Sequence, residues 1–269
     1  MQWVGGGCMS ASRFLRSVRA ALRLEAIILG RNRHELVTFA VIPLQTLGFL
    51  SVVRFAGRAD LDIIAVVAPA LMALWVNALY TGGEVVRKDR DDLRLEPLVS
   101  SRGSVFGYLV GRVGAVTIFS LLVFTEALLV GWLVFGVSLE ISALHVVAVT
   151  LVTTAVATTA TSILFSVVFV NTRNPHTYQN AMGYPFFLLG GVLVPVTLYP
   201  DWIQALCRAV YLSWSSDLFR EAFGEGHADG WLWRNGVILG LAAVTLAVAA
   251  WMLMRTLDNA RREGRLALT

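Results

Sequence analysis

Three aspartates, Asp89, Asp91 and Asp92, are the densest acidic cluster in the chain. Arg90 splits them. No second acidic motif stands a turn or more along a neighbouring segment, as a metal-dependent lipid transferase would need. His34 opens the run His-Glu-Leu-Val-Thr, the start of a zinc-protease motif. Thr38 stands where the second histidine belongs, so no zinc pair forms. The other histidines, His145, His176 and His227, are scattered. Cys8 and Cys207 are too far apart in sequence to suggest a metal site or a disulfide framework. Lys88 is the one lysine, and it lies in Arg-Lys-Asp. A phosphate-cradling loop ends in Gly-Lys-Ser/Thr, so ATP-driven work would require another chain. The expectation is a chain with no catalytic residue, no metal and no cofactor of its own.

One charge remains to be explained. Glu126 is the only ionisable residue between positions 113 and 139. A charge at the centre of a bilayer costs roughly 2.5–3.5 kcal/mol on insertion scales. Two readings stand: a cation-binding or proton-linked group on a translocation path, or a neutral or paired glutamate that holds helices together.

These residues must be positioned by elements in a membrane. Of 269 residues, 57% are hydrophobic and 15% charged, and the mean hydropathy is +0.68. Such a composition excludes a disordered chain and argues against a soluble enzyme. The net charge of +4 is no nucleic-acid signature, because the basic residues lie between apolar runs rather than in a stripe. A bilayer-crossing helix needs about 20 apolar residues. The charge-poor runs predict six spans, at about 36–56, 63–83, 113–137, 142–170, 177–198 and 235–254. Pro43, Pro69 and Pro185 fall inside three of them, which neighbouring helices allow. Arg54, Arg58, Arg208, Arg220 and Arg234 fall on one side; every other basic residue falls with the termini. The positive-inside rule therefore puts both termini in the cytoplasm. No cleavable signal peptide is read before residue 10.

The predicted fold is an all-α integral membrane protein. Residues 1–9 are expected to be disordered, 34–256 to form one six-span membrane domain, and 257–269 a cytoplasmic tail. Residues 10–33 predict an amphipathic interfacial helix. Arg13, Arg16, Arg19 and Arg23 share its basic face, and Phe14, Leu15, Val18, Leu22 and Leu29 its apolar face. Residues 83–112 mix both signs of charge with apolar side chains over a length no plain connector needs. That segment reads as a docking surface for a soluble partner. Residues 199–234 are too polar to span. Trp202, Tyr211, Trp214, Phe219 and Phe223 recur at roughly helical spacing, which predicts short amphipathic, re-entrant helices between the fifth and sixth spans. Trp231 and Trp233 would anchor them at the interface. Thr150, Thr154, Thr158 and Thr161 form a track suited to helix-on-helix packing. Gly103, Gly107 and Gly111 repeat at a spacing that admits close backbone approach.

Two stretches carry a resemblance. KDRDDLRLEPLVSSRGSVFGYLVGR begins with mixed charges, has a leucine-rich centre and a small-residue turn, and ends on Tyr108, Leu109, Gly111 and Arg112. In NAMGYPFFLLGGVLVPVTLYPDWIQALCRAVYLSWSSDLFREA the marks are Asn180, Pro185, Gly190, Gly191, Pro195, Pro200, Trp202 and Arg220. Together these resemble the ABC type-2 exporter permeases, and among them the daunorubicin-type drug-resistance branch. Departures are Asp92 in place of a Gly-Thr, Ser100 or Ser101 in place of a proline, and Ser213-Trp214 in place of Asn-Pro. The resemblance implies a permease dimer of identical or paralogous chains in the bacterial inner membrane. Two copies of a cytoplasmic ATPase would carry the ATP and Mg. Residues 85–100 would be a coupling helix, docking through Arg87, Asp89, Arg90, Asp92, Arg94, Leu95 and Glu96. Gln45, Asn77 and Glu126 would lie on the translocation path, and Trp202, Trp214 and Arg220 would mark the outer helices. An amphiphilic drug, lipid or natural product would move outward by alternating access. Alternatives are a polysaccharide or lipid-glycan export permease, a non-transporting membrane subunit and, last, a membrane-embedded lipid transferase.

Overall fold

The computed structural model describes residues 11–31, 33–94, 104–137, 144–170, 172, 174–224 and 228–263. The expected disordered N-terminus, Leu95, Glu96, Gly103 and residues 264–269 of the tail lie outside them. Among the described residues the structure holds helices and turns and no strand.

The described residues form ten α-helices. They are α1 (Ala11–Arg31), α2 (Arg33–Phe55), α3 (Asp62–Asn77), α4 (Val85–Asp91) and α5 (Val105–Phe135), then α6 (Leu144–Val170), α7 (Pro175–Leu189), α8 (Asp201–Cys207), α9 (Tyr211–Phe223) and α10 (Trp231–Glu263). Among the described residues, four stretches are long and apolar enough to cross a membrane: Asp62–Asp91, Val105–Phe135, Leu144–Val170 and Trp231–Thr256. The first joins α3 to α4 through five residues of π-helix, Ala78–Gly82. α2 occupies the place of the predicted first span.

The helix in the fifth place is shorter than predicted. α7 has 15 residues, about 22 Å of helix against a hydrocarbon core of about 30 Å. It stops at Leu189 because Gly190 and Gly191 turn the chain. Gly191 holds φ +62°, a left-handed conformation that glycine adopts without steric penalty. A side chain at Gly190 would run into Leu212 of α9. The turn therefore doubles as the seat of α9.

The main core lies among α3, α6, α7 and α9. Trp75 is 1% exposed. Its ring stacks on Phe186 at 4.6 Å and meets Phe165 edge-on at 5.7 Å. Phe124 of α5 packs on Phe219 of α9 at 5.0 Å. α9 is a short helix between the fifth and sixth places, and one side of it is deeply buried. Tyr211, Leu212, Ser215, Ser216, Phe219 and Phe223 are all buried, so it is a core element. α1 lies along the start of α5. Side chains at Gly107 and Gly111 would collide with Phe14 and with the Val18 carbonyl, so these two glycines let α1 approach within the same chain. Arg13, Arg16, Arg19 and Arg23 remain exposed on its other side.

Candidate functional site

The end of the bundle that carries α4 holds a buried charge cluster. Arg112, 3% exposed, donates from Nε to Glu25 of α1 at 2.5 Å and from Nη1 to Asp89 of α4. The Tyr108 hydroxyl, one turn back on α5, accepts from Nη1 at 3.3 Å. Glu25 and Asp89 are 3% and 0% exposed. One guanidinium thus joins three helices. Its planar fork can satisfy two carboxylates at once, which a lysine ammonium does with less geometric definition. Ion pairs this deep have little net effect when intact but are strongly destabilising when broken, because a lone charge is left without water.

A second set of contacts holds the π-helical segment and the turn before α4. Wider π turns free backbone carbonyls, and side chains fill the vacancies. Ser166 of α6 donates to the Gly82 carbonyl at 2.6 Å, and Gln179 of α7 donates to the Leu79 carbonyl at 3.0 Å. Gln179 also donates to Glu84 at 3.2 Å, and its own amide oxygen meets His176 Nδ1 at 2.9 Å. Arg87 lies 3.6 Å from Glu84. Arg90 donates to the Val170 carbonyl at the end of α6, 3.2 Å away. Residues 79–90 are therefore tied to α1, α5, α6 and α7.

The expected docking residues divide accordingly. Asp92 and Arg94 are exposed and lie 3.2 Å from one another. Arg90 is exposed, and Arg87 is half-buried. Asp89 differs from these: it is fully buried, and its carboxylate accepts from Arg112. The expected path residues also divide. Gln45 is exposed on α2. Asn77 is buried and donates to Ser120 of α5 at 3.0 Å, so its amide is taken up in packing. Glu126 is half-buried on α5, and its Oε2 has no hydrogen-bond partner among the described residues.

The opposite end, around α9, is held by neutral groups and a few ion pairs. Thr154 donates to Ser215 at 2.8 Å, Thr158 meets Tyr211 at 3.0 Å, and Thr153 donates to Asn235 of α10 at 2.6 Å. The threonine track is thus helix packing. Arg220 donates to the carbonyls of Gly191 and Val192 at 2.5 and 2.7 Å, closing the turn after α7. Burial pushes this guanidinium below its ordinary pKa, and Asp217 pushes it back up. Trp214 lies under Arg208 at 4.6 Å and donates to the Arg208 carbonyl. Trp202 is exposed on α8.

The sequence pattern of the ABC-2 type transporter family matches residues 16–223. The chain belongs to the ABC-2 type transporters. No curated protein matches it. An ABC-2 chain is a membrane-spanning permease and works with an ABC ATPase. The match begins within α1 and ends at the last residue of α9, so it takes in the whole α4-end cluster and the α9-end contacts except Asn235 of α10.

Glu25, Glu84 and Gln179 are not among the residues singled out from sequence. Glu25 does carry a signal: it stands one turn from Ala21 and one from Leu29, on the buried face of α1. An acid there requires a buried base. Glu84 and Gln179 give no comparable mark, because both border polar segments.

Proposed function

We propose that this ABC-2 permease is the membrane half of an exporter, and that α4 with residues 92–100 takes up the motion of a cytoplasmic ATPase. The supporting observation is the Glu25–Arg112–Asp89 cluster. A coupling element must move its spans when it is pushed. Asp89 carries α5 and α1 along through Arg112, and Glu84 carries α7 through Gln179. Exposed Asp92 and Arg94, beyond this anchored core, offer contacts to the ATPase.

In this reading α2, α3, α5, α6, α7 and α10 are the six membrane segments, with α7 completed by its re-entrant turn. Both termini face the cytoplasm of a bacterial inner membrane, as the arginine distribution supports. Two permease chains meet across α2, α3 and α7, where Gln45 is exposed. ATP draws two ATPase subunits together, α4 moves with them, and the cavity between permeases opens outward. ATP drives this only through a higher affinity for the outward-open state. The cargo is an amphiphilic drug, lipid or natural product.

The test is purification of the tagged chain from its native membrane in mild detergent, in parent form and as Asp92→Lys with Arg94→Glu. A co-purifying subunit with a phosphate-binding loop, lost in the double variant, is expected. Purification of the intact permease with no ATPase in either form would overturn the reading.

A further inference from the structure

An apolar groove of about 610 Å³ lies among α5, α6 and α10, with no residue of α2 or α7 in its lining. Val18 and Leu22 of α1 close one end of it, and Gly114, Val156, Ala243 and Leu246 are among its walls. The two side-chain hydroxyls in the lining are already paired. Thr159 donates to Thr117 at 3.0 Å, and each also bonds a carbonyl of its own helix. The groove therefore presents a surface that is almost all hydrocarbon. A side chain at Gly114 would meet nothing within 4 Å, so the depth comes from an absent side chain rather than a loose fit.

Exposed arginines neighbour the lining residues along the chain. Arg19 and Arg23 directly follow Val18 and Leu22 and are exposed. The one acid on α1, Glu25, is bound to Arg112. The helix therefore shows the bilayer surface cations only. On α10, Arg255 lies over Trp251 at 4.0 Å, and both are exposed. Arg255 stands nine residues past Leu246, about 14 Å along the helix, at the depth expected of a tryptophan-arginine interfacial anchor.

We propose that this groove binds one anionic phospholipid, with acyl chain against Gly114 and Val156 and phosphate on Arg19 and Arg23. Lipid tails are as apolar as the groove, so the cavity supplies shape and the arginines supply selection. Each basic residue in the headgroup layer is worth roughly a fivefold preference for anionic lipid. The bound lipid bridges α1 to α5, α6 and α10. Binding of this kind requires only that the helices lie in a membrane; it does not depend on export or on an ATPase.

The test uses the full chain in phosphatidylcholine nanodiscs doped with a trace of phosphatidylglycerol carrying a photoreactive acyl chain, or with the matching photoreactive phosphatidylcholine. Labelled residues are mapped by mass spectrometry. The anionic probe is expected to label residues 114–121 and 152–163 about tenfold above the lipid-exposed Leu129 and Leu133. Arg19→Gln with Arg23→Gln should reduce that excess about tenfold and leave the zwitterionic probe unchanged. Gly114→Trp should remove labelling of Val156 and Thr159 by either probe, and Ala243→Phe does the same should the tryptophan variant not fold. Equal labelling by the two probes in the parent chain, or undiminished labelling with the groove filled, would overturn the proposal.

Discussion

The two ends of the helical bundle are both fastened by polar side chains, but with different chemistry. At the α4 end three helices meet on one guanidinium, with Glu25 and Asp89 as its partners. At the α9 end, hydroxyls and amides of Thr153, Thr154, Thr158, Ser215, Tyr211 and Asn235 share the load in separate pairs. The first arrangement fails as a unit: remove one member and the others are left charged and dry. The second degrades gradually, since each neutral bond inside a membrane bundle averages only about 0.6 kcal/mol. The coupling role proposed for α4 calls for connections that do not slip, whereas weak, redundant ones suffice for a part that only packs.

That contrast is open to direct attack. The largest effect is expected from Arg112→Met, which strands two buried carboxylates. It should lower stability by about 3–5 kcal/mol, read as a large drop in the thermal midpoint in detergent. Replacing the whole cluster, Glu25→Leu with Asp89→Leu and Arg112→Met, should recover most of that midpoint. If the ties carry motion, the triple variant should still leave ATP hydrolysis uncoupled from transport. Recovery of both stability and transport would show that the charges only pack helices.

Next in size is Arg220→Leu at the α9 end, where a buried guanidinium closes the turn after α7. It frees the Gly191 and Val192 carbonyls, and should cost about 1–3 kcal/mol in the same unfolding measurement. A smaller effect is expected for Thr153→Val with Asn235→Leu. A double-mutant cycle should give a coupling energy of about 0.6 kcal/mol and no more than about 1.7. A value as large as that of the α4 end would erase the distinction between the two networks. Smallest in stability is Asp92→Lys with Arg94→Glu. Both are exposed, so the thermal midpoint should stay within the scatter of surface substitutions, while ATPase co-purification falls.

Much of this architecture was legible in the amino-acid pattern. Arginines at 13, 16, 19 and 23 announced a helix with one wet face, and α1 runs from Ala11 to Arg31. The repeat of Gly107 and Gly111 announced close approach, and α1 is the helix that approaches. Length and apolarity marked α5, α6 and α10. Less was legible where polarity misleads. The aromatic spacing predicted a short helix at α9, but not that Ser215 and Ser216 would be buried with Phe219 and Phe223 and bond neighbouring segments. Asp89 read as a docking acid because it stands among charges. Whether an acid faces outward or meets an arginine 23 residues later is a tertiary fact. The early stop of α7 was written in Gly190-Gly191, but a pair of glycines inside an apolar run marks a turn only when a donor such as Arg220 satisfies the exposed carbonyls.

The π-helical stretch Ala78–Gly82 sets the phase of everything beyond it. From Asp62 to Asp91 the chain is one rod, and each residue inserted in such a rod rotates the remainder by about 100°. Asp89 meets Arg112 and Glu84 meets Gln179 because the index is right. Deleting one residue from 78–82 alters no side chain in either contact. It should still turn both acids away from their partners, as a gear offset by one tooth turns without engaging.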